Sequence, residues 1–272
     1  MNLYKNIKPI LPSFITHLLL LWISGLFAIF ILPHGVFWAQ QPHLPNPLLD
    51  IASRWDTAWY LSIAQIGYTW NAAAFFPLLP MLLHLFSFNK DFMAFAGWLL
   101  SILCFGGSLY VIRLLVLEKF NSQVADRAMW IIALFPGAIF LTAIYPMSLY
   151  LFLISLYFYF LIQNKPWLAG MAGLLAALTW DDGILLVLSG VFYSWYTSKF
   201  YRKNFKITAR QAATYLGPVF GALGYLIFLK IRFGSFFAFL TAEHQWFRTF
   251  TVNPFYVQFH ILWLLMINKP HL

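Results

Sequence analysis

The chain has 272 residues, of which 62% are hydrophobic, 21% aromatic and only 9% charged. With a mean hydropathy of +0.75, this excludes a water-soluble domain, in which about a quarter of residues are charged. The net charge of +9 is not a nucleic-acid signal, because the basic residues cluster in short loops between apolar runs, where they report topology.

One cysteine, Cys104, excludes an intrachain disulfide and a cysteine metal cluster. Residues 1–10 carry Lys5 and Lys8 ahead of an apolar run, 14–32. That run exceeds the ~7–15 residues of a signal-peptide core and has no small-residue cleavage site before Pro33. It reads as an uncleaved first span with the N-terminus inside. A proline-rich connector, HGVFWAQQPHLPN, leads to residues 50–68, DIASRWDTAWYLSIAQIGY. Placed on one helix at 100° per residue, Leu48, Ile51, Ala52, Trp55, Trp59, Ile63 and Ile66 share a face. Asp50 and Arg54 sit four apart on the opposite face, as a solvated ion pair. Asp56 lies on the shoulder, beside Trp55, Trp59 and Tyr60. Residues 34–72 thus predict an outer loop carrying an amphipathic helix in the membrane interface.

Residues 72–88 are apolar but short, and Pro77 and Pro80 break helical hydrogen bonding. Further spans are predicted at 92–117, 128–145, 147–162, 167–179, 184–196 and 212–229, with a stub at 259–267. The sum is an all-α polytopic membrane protein of about eight membrane helices in a single domain, 1–272. Several spans fall short of the roughly 20 residues an upright crossing needs, which suggests helices broken around a polar cavity. If 72–88 does not cross, the basic loop 199–210 is cytoplasmic with Arg113, Lys119, Arg127 and Lys165, as the positive-inside bias demands. Asp50, Asp56, Asp91, Asp181, Asp182 and Glu243 then collect on the outer side.

No phosphate-binding loop, dinucleotide fingerprint or HExxH occurs, and His34, His43, His244 and His260 lack zinc spacing. Carboxylates, aromatics and arginines on one membrane face can perform general-base catalysis on a sugar hydroxyl, with arginine on a phosphate leaving group. They can equally line a transport route, although acids at span ends count against that. The residues alone leave both open, and leave Asp56 readable as an interfacial acid.

RWDTAWYLSIAQIGY followed by AAFFPLLPML resembles the hallmark of PIG-V-like mannosyltransferases, the family that includes the enzyme adding the second mannose of GPI anchors. ALFPGAIFLTAIYPMSLYLFLISLYFYFL resembles that family's helix pair, and FGSFFAFLTAEHQWFR its outer loop, in family order from Asp50 to Arg248. The resemblance implies a GT-C-like bundle, a polyprenyl-phosphate-sugar donor, and inverting transfer of a hexose, mannose by family, to a lipid- or glycan-linked acceptor. Asp56 matches the catalytic acid. Arg54, Trp55, Trp59, Tyr60 and Tyr145 would surround the substrate, with Glu243, His244, Gln245, Trp246 and Arg248 as the opposing wall. No covalently bound cofactor is implied.

Three departures stand out. Where the family reads "TR…G", this chain has Thr179-Trp180-Asp181-Asp182-Gly183. Asp181 and Asp182 could hold a divalent metal bridging to phosphate, or be a solvated turn. Of the family's "YSES", Tyr145-Pro146-Met147-Ser148 keeps the tyrosine and the last serine. Family members also carry further C-terminal spans. The expectation is therefore a membrane glycosyltransferase in a bacterial plasma membrane rather than the endoplasmic reticulum. The alternative is a truncated, non-catalytic partner or lipid-sugar binder whose remaining helices come from a separate polypeptide.

Overall fold

The computed structural model describes residues 7–31, 46–200 and 209–245, together with Phe259 and Trp263. Regular structure among them is helical, without strands. A 3-10 turn, Lys8–Ile10, runs into α1 (Leu11–Phe30). Two short helices follow, α2 (Pro47–Ile51) and α3 (Thr57–Ile66), then a 3-10 turn, Asn71–Ala74, and α4 (Leu78–His84). The body of the bundle is α5 (Lys90–Leu117), α6 (Ser122–Leu134), α7 (Pro146–Ile162), α8 (Pro166–Ala177), α9 (Leu186–Phe200) and α10 (Ala209–Phe233), with α11 (Ala238–Gln245) last. Further 3-10 turns, Pro136–Leu141 and Asp181–Leu185, precede α7 and α9.

Local chemistry sets many of these ends. Asn89 and Asn121 cap α5 and α6, their side-chain oxygens accepting from the Phe92 and Val124 N–H groups at 2.9 and 3.0 Å. Pro146 and Pro166 open α7 and α8, positions where the missing N–H costs nothing. Asn164, at φ 54°, closes α7, and the Lys165 N–H reaches back to the Phe160 carbonyl at 2.8 Å.

Stretches Lys8–Phe30, Lys90–Leu117 and Gln211–Phe233 are long and apolar enough to cross a membrane, and α7 and α8 are shorter apolar helices. Leu19, Ile23, Phe27 and Phe30 of α1 are exposed, as a lipid-facing surface requires. The helices define two ends. At one, the Arg113 guanidinium pairs with Asp126 at 3.1 Å and Gln163 donates to Glu118 at 3.2 Å, with Lys119, Arg127 and Lys165 nearby in the chain. This is the basic end. At the other end α7 begins, α8 finishes and α2, α3 and α4 gather.

The tightest packing joins α8 to α10. A Cβ on Gly217 would stand 1.9 Å from the Gly170 carbonyl oxygen, and one on Gly170 would stand 2.2 Å from that of Ala213. Small residues at this spacing let two helix backbones touch, which drives helix association in lipid.

The structure corrects several expectations. Residues 50–68 are not one helix: the chain breaks between α2 and α3, and Trp55 adopts φ 51°. The single apolar face therefore fails, with Ala52 and Ile63 buried while Trp55 and Ile66 are 55% and 74% exposed. Asp50 and Arg54 do pair, but the pair is buried, with Asp50 only 6% exposed. The span expected over 128–145 ends at Leu134, because Pro136 starts a separate 3-10 turn. The aromatic run 157–160 reads in sequence as lipid-facing bulk, but Tyr157 is fully buried and donates to the Leu186 carbonyl at 2.8 Å. Within 72–88, the seven-residue α4 rises roughly 10 Å at 1.5 Å per residue, too short to cross. The stub at 259–267 lies outside the described residues apart from Phe259 and Trp263, and so does most of the 199–210 loop.

Candidate active site

The break between α2 and α3 is stapled to the segment that precedes α7. The Ile144 N–H donates to the Ala52 carbonyl at 2.8 Å. The Thr57 hydroxyl donates to the Ile144 carbonyl at 3.1 Å, and the Asp56 N–H donates to the Tyr145 hydroxyl at 2.8 Å. These bonds satisfy backbone groups that a broken helix would leave bare, and they explain why Trp55 is held in a left-handed conformation unfavourable for its bulk. Thr57 is fully buried, so its bond forms away from water. Residues 52–57 and 142–145, far apart in sequence, become one loop cluster.

Asp56 stands immediately before α3. A carboxylate there ordinarily caps its own helix, yet it makes no such bond. It is half-buried, and its charge is felt by Tyr145. Burial first, then the Asp56 carboxylate, push the Tyr145 phenol far above its usual range, against a smaller opposite pull from the Asp56 N–H. Tyr145 is thus neutral across any working pH. Its oxygen accepts from the Asp56 N–H and so holds that backbone.

Aromatic rings surround this pair in an unbroken chain. Trp55 meets Phe140 at 5.7 Å between centroids, Phe140 meets Tyr145 at 5.0 Å, and Tyr145 meets Tyr60 at 6.5 Å. Tyr60 then meets Phe75 edge-on at 5.2 Å, and Phe75 stacks on Trp59 at 5.5 Å with 12° between planes. Such offset and edge contacts stabilise one another; Tyr60, Phe75 and Tyr145 are buried, while Trp55 is exposed. Arg54 is tied to Asp50, which makes it a clamp on the turn as well as a local positive charge.

Phe75 is itself anchored from the far side. Its carbonyl accepts from the Tyr68 hydroxyl at 2.8 Å and the Tyr225 hydroxyl at 3.1 Å. Burial raises the Tyr68 phenol well above its ordinary value, so it remains a donor. Ala73, Ala238 and Ala242, fully buried together, seat α11 on the Asn71–Ala74 turn.

Of the residues singled out from sequence, Arg54, Trp55, Asp56, Trp59, Tyr60 and Tyr145 therefore come together. Asp181 and Asp182 do not join them directly. Both are exposed, in the turn before α9, and their nearest described neighbour of note is Tyr150, one turn into α7. Gly183 beside them is buried, and a Cβ there would stand 2.5 Å from the Ala177 backbone, so this turn packs directly on the end of α8. Among the described residues no group of three or more His, Cys, Asp or Glu could hold a metal. Glu243 and His244 lie on α11, behind the turn that carries Phe75. Gln245 is described in its backbone alone, and Trp246 and Arg248 lie outside the described residues. Phe75, Phe140 and Thr57 complete the site without having been singled out. Thr57 follows Asp56 inside the motif, and Phe75 and Phe140 lie in the two matching blocks, but nothing in a lone aromatic says which ring it will meet.

The fold and site together define a polytopic helical membrane protein with a carboxylate in an aromatic cradle at one end of its bundle. The family described as Mannosyltransferase (PIG-V) matches residues 42–179. This chain belongs to that family, the membrane mannosyltransferases. Asp56, Tyr145 and all six rings fall within the matched stretch, whereas the 233–248 block lies beyond it. No curated protein and no solved structure matches the chain.

Proposed function

We propose that the chain moves mannose from a polyprenyl-phosphate-linked donor to a hydroxyl of a lipid- or glycan-linked acceptor, with inversion, as a GT-C enzyme on the outer face of a bacterial plasma membrane. The observation that carries this reading is the meeting of Asp56 with Tyr145 inside the ring chain, within the stretch the mannosyltransferase family matches.

Asp56 takes the proton from the acceptor hydroxyl as its oxygen attacks the anomeric carbon. The bond from that carbon to phosphate breaks, and its electron pair leaves with polyprenyl phosphate, a stable anion that needs no general acid. Half-buried Trp59 offers an apolar face to the sugar, and buried Tyr60 backs the site through Phe75. Tyr145 holds the Asp56 backbone in place. Exposed Trp55 suits the membrane interface, where a lipid-linked donor lies. Glu243, His244, Gln245, Trp246 and Arg248 would close the far wall, with Arg248 on the donor phosphate. Asp181 and Asp182 are the residues that would hold a divalent cation. Bound there, such an ion would supply positive charge toward a phosphate.

The test is donor choice. Membranes containing the chain are given radiolabelled mannose either as polyprenyl-phosphate-mannose or as a nucleotide sugar, with lipid-donor synthesis blocked. Label is expected to move from the lipid donor alone. Transfer from the nucleotide sugar under that block would overturn the proposed donor.

A further inference from the structure

At the basic end, far from Asp56, the ends of α7, α8, α9 and α10 converge on a cavity of about 290 Å³. Its existence follows from the packing. α8 and α10 are pinned backbone to backbone at Gly170 and Gly217, and the left-handed Asn164 folds the chain sharply from α7 into α8. α9 cannot follow both partners, and the wedge between them stays open.

About half of the lining is polar, in a chain that is 62% hydrophobic. Asn164, Lys165, Ser194, Thr197, Gln211 and Tyr215 contribute to it. Part of this wall is preset. Buried Tyr215 donates to the Ser194 hydroxyl at 2.7 Å, and Thr197 donates to the Tyr193 carbonyl at 2.9 Å. Ser194, having accepted, retains a hydrogen to give. A helix end that merely met water would need no convergent set of hydroxyl and amide groups, and mere packing would favour apolar side chains that lipid already solvates.

Charge and size narrow the ligand. Lys165 is the charged residue of the lining, and no acid contributes. The ligand is therefore anionic and rich in hydrogen-bonding oxygens. The volume lies at the bottom of the roughly 300–1,000 Å³ range of small-molecule pockets, which suits a headgroup and not a nucleotide sugar. Leu161 and Ile162 add apolar side chains to the lining, a surface that suits the acyl-proximal part of a lipid.

We propose that this cavity is a binding site for the phosphoglycerol headgroup of an anionic glycerophospholipid, with Lys165 on the phosphate and the Ser194–Tyr215 pair on the glycerol hydroxyls. The site lies at the opposite end from Asp56 and does not depend on the transfer reaction. It gives the basic end a specific lipid contact in addition to the diffuse attraction of basic loops for anionic leaflets.

Native mass spectrometry of the full chain in detergent, with added phosphatidylglycerol or phosphatidylcholine, reads the bound lipid. Phosphatidylglycerol should be retained at one per chain, in preference to phosphatidylcholine. Retention should fall about tenfold in Lys165→Gln and be lost in Thr197→Phe, which fills the cavity. Lys119→Gln, at the same end but outside the lining, should bind as the unaltered chain does. Should Thr197→Phe fail to fold, Ser194→Ala replaces it, with an expected fall of about threefold. Equal retention of both lipids would overturn the proposal, as would unchanged binding in the cavity variants. So would displacement of the lipid by millimolar inorganic phosphate, which would make the ligand free phosphate.

Discussion

The α8–α10 seam and the loop cluster around Asp56 are held by opposite means. Along the seam two helices touch backbone to backbone through Gly170 and Gly217, with a long bond from the Thr214 hydroxyl to the Pro166 carbonyl at 3.4 Å. At the cluster, helices are interrupted, Trp55 is strained, and the pieces are joined by hydrogen bonds and ring contacts between distant segments. A seam of that kind confers rigidity and tolerates no bulk. A cluster of that kind fixes a few groups in unusual positions, as chemistry requires, and each of its contacts is individually modest.

That contrast can be broken most severely at the seam. Gly217→Leu places atoms inside the Gly170 backbone, so no folded protein should be recovered, as judged by size-exclusion chromatography after detergent extraction. A monodisperse, stable variant would show that the helices are free to part. Next comes the buried ion pair. Arg54→Ala leaves the Asp50 carboxylate buried without its partner, which costs about 3–5 kcal/mol, and thermal unfolding in detergent should register a large drop. Tyr145→Phe removes the acceptor of the Asp56 N–H at a half-buried position, a loss of about 0.5–1.5 kcal/mol. It should slow mannosyl transfer while the protein stays folded.

The smallest effect on stability sharpens the comparison further. Trp55→Gly relieves a left-handed backbone but removes a ring from the cradle, so its melting temperature should hold or rise while transfer falls. A parallel loss of both would make Trp55 a packing residue.

Membrane class and most helix ends were legible because their causes are local: Pro146, Pro166 and Asn89 act within a turn of where they stand. Family membership was legible too, since RWDTAWY and its companion blocks keep their order. The break at residues 52–56 was not, because that stretch holds no glycine or proline and its apolar spacing fits a helix. Its cause is non-local, in the bonds from Ala52 and Thr57 to Ile144. The Asp50–Arg54 pair could be read as a pair, but its burial depends on what packs over it. Pro136 was visible and still read through as part of a span. Tyr157 looked like lipid-facing bulk because an aromatic run does not reveal that one hydroxyl will find the Leu186 carbonyl. The α8–α10 seam was not legible in the sequence, because only the fold shows that Gly170 and Gly217 meet.

The central claim is that Asp56 is the base. Transfer from polyprenyl-phosphate-mannose is measured with the unaltered chain and with Asp56→Asn, matched for membrane level and melting temperature. The account predicts a fall of about 10²–10⁴-fold with donor binding retained, because asparagine keeps the shape and cannot take the proton. Turnover in Asp56→Asn at the rate of the unaltered chain would remove Asp56 from the mechanism.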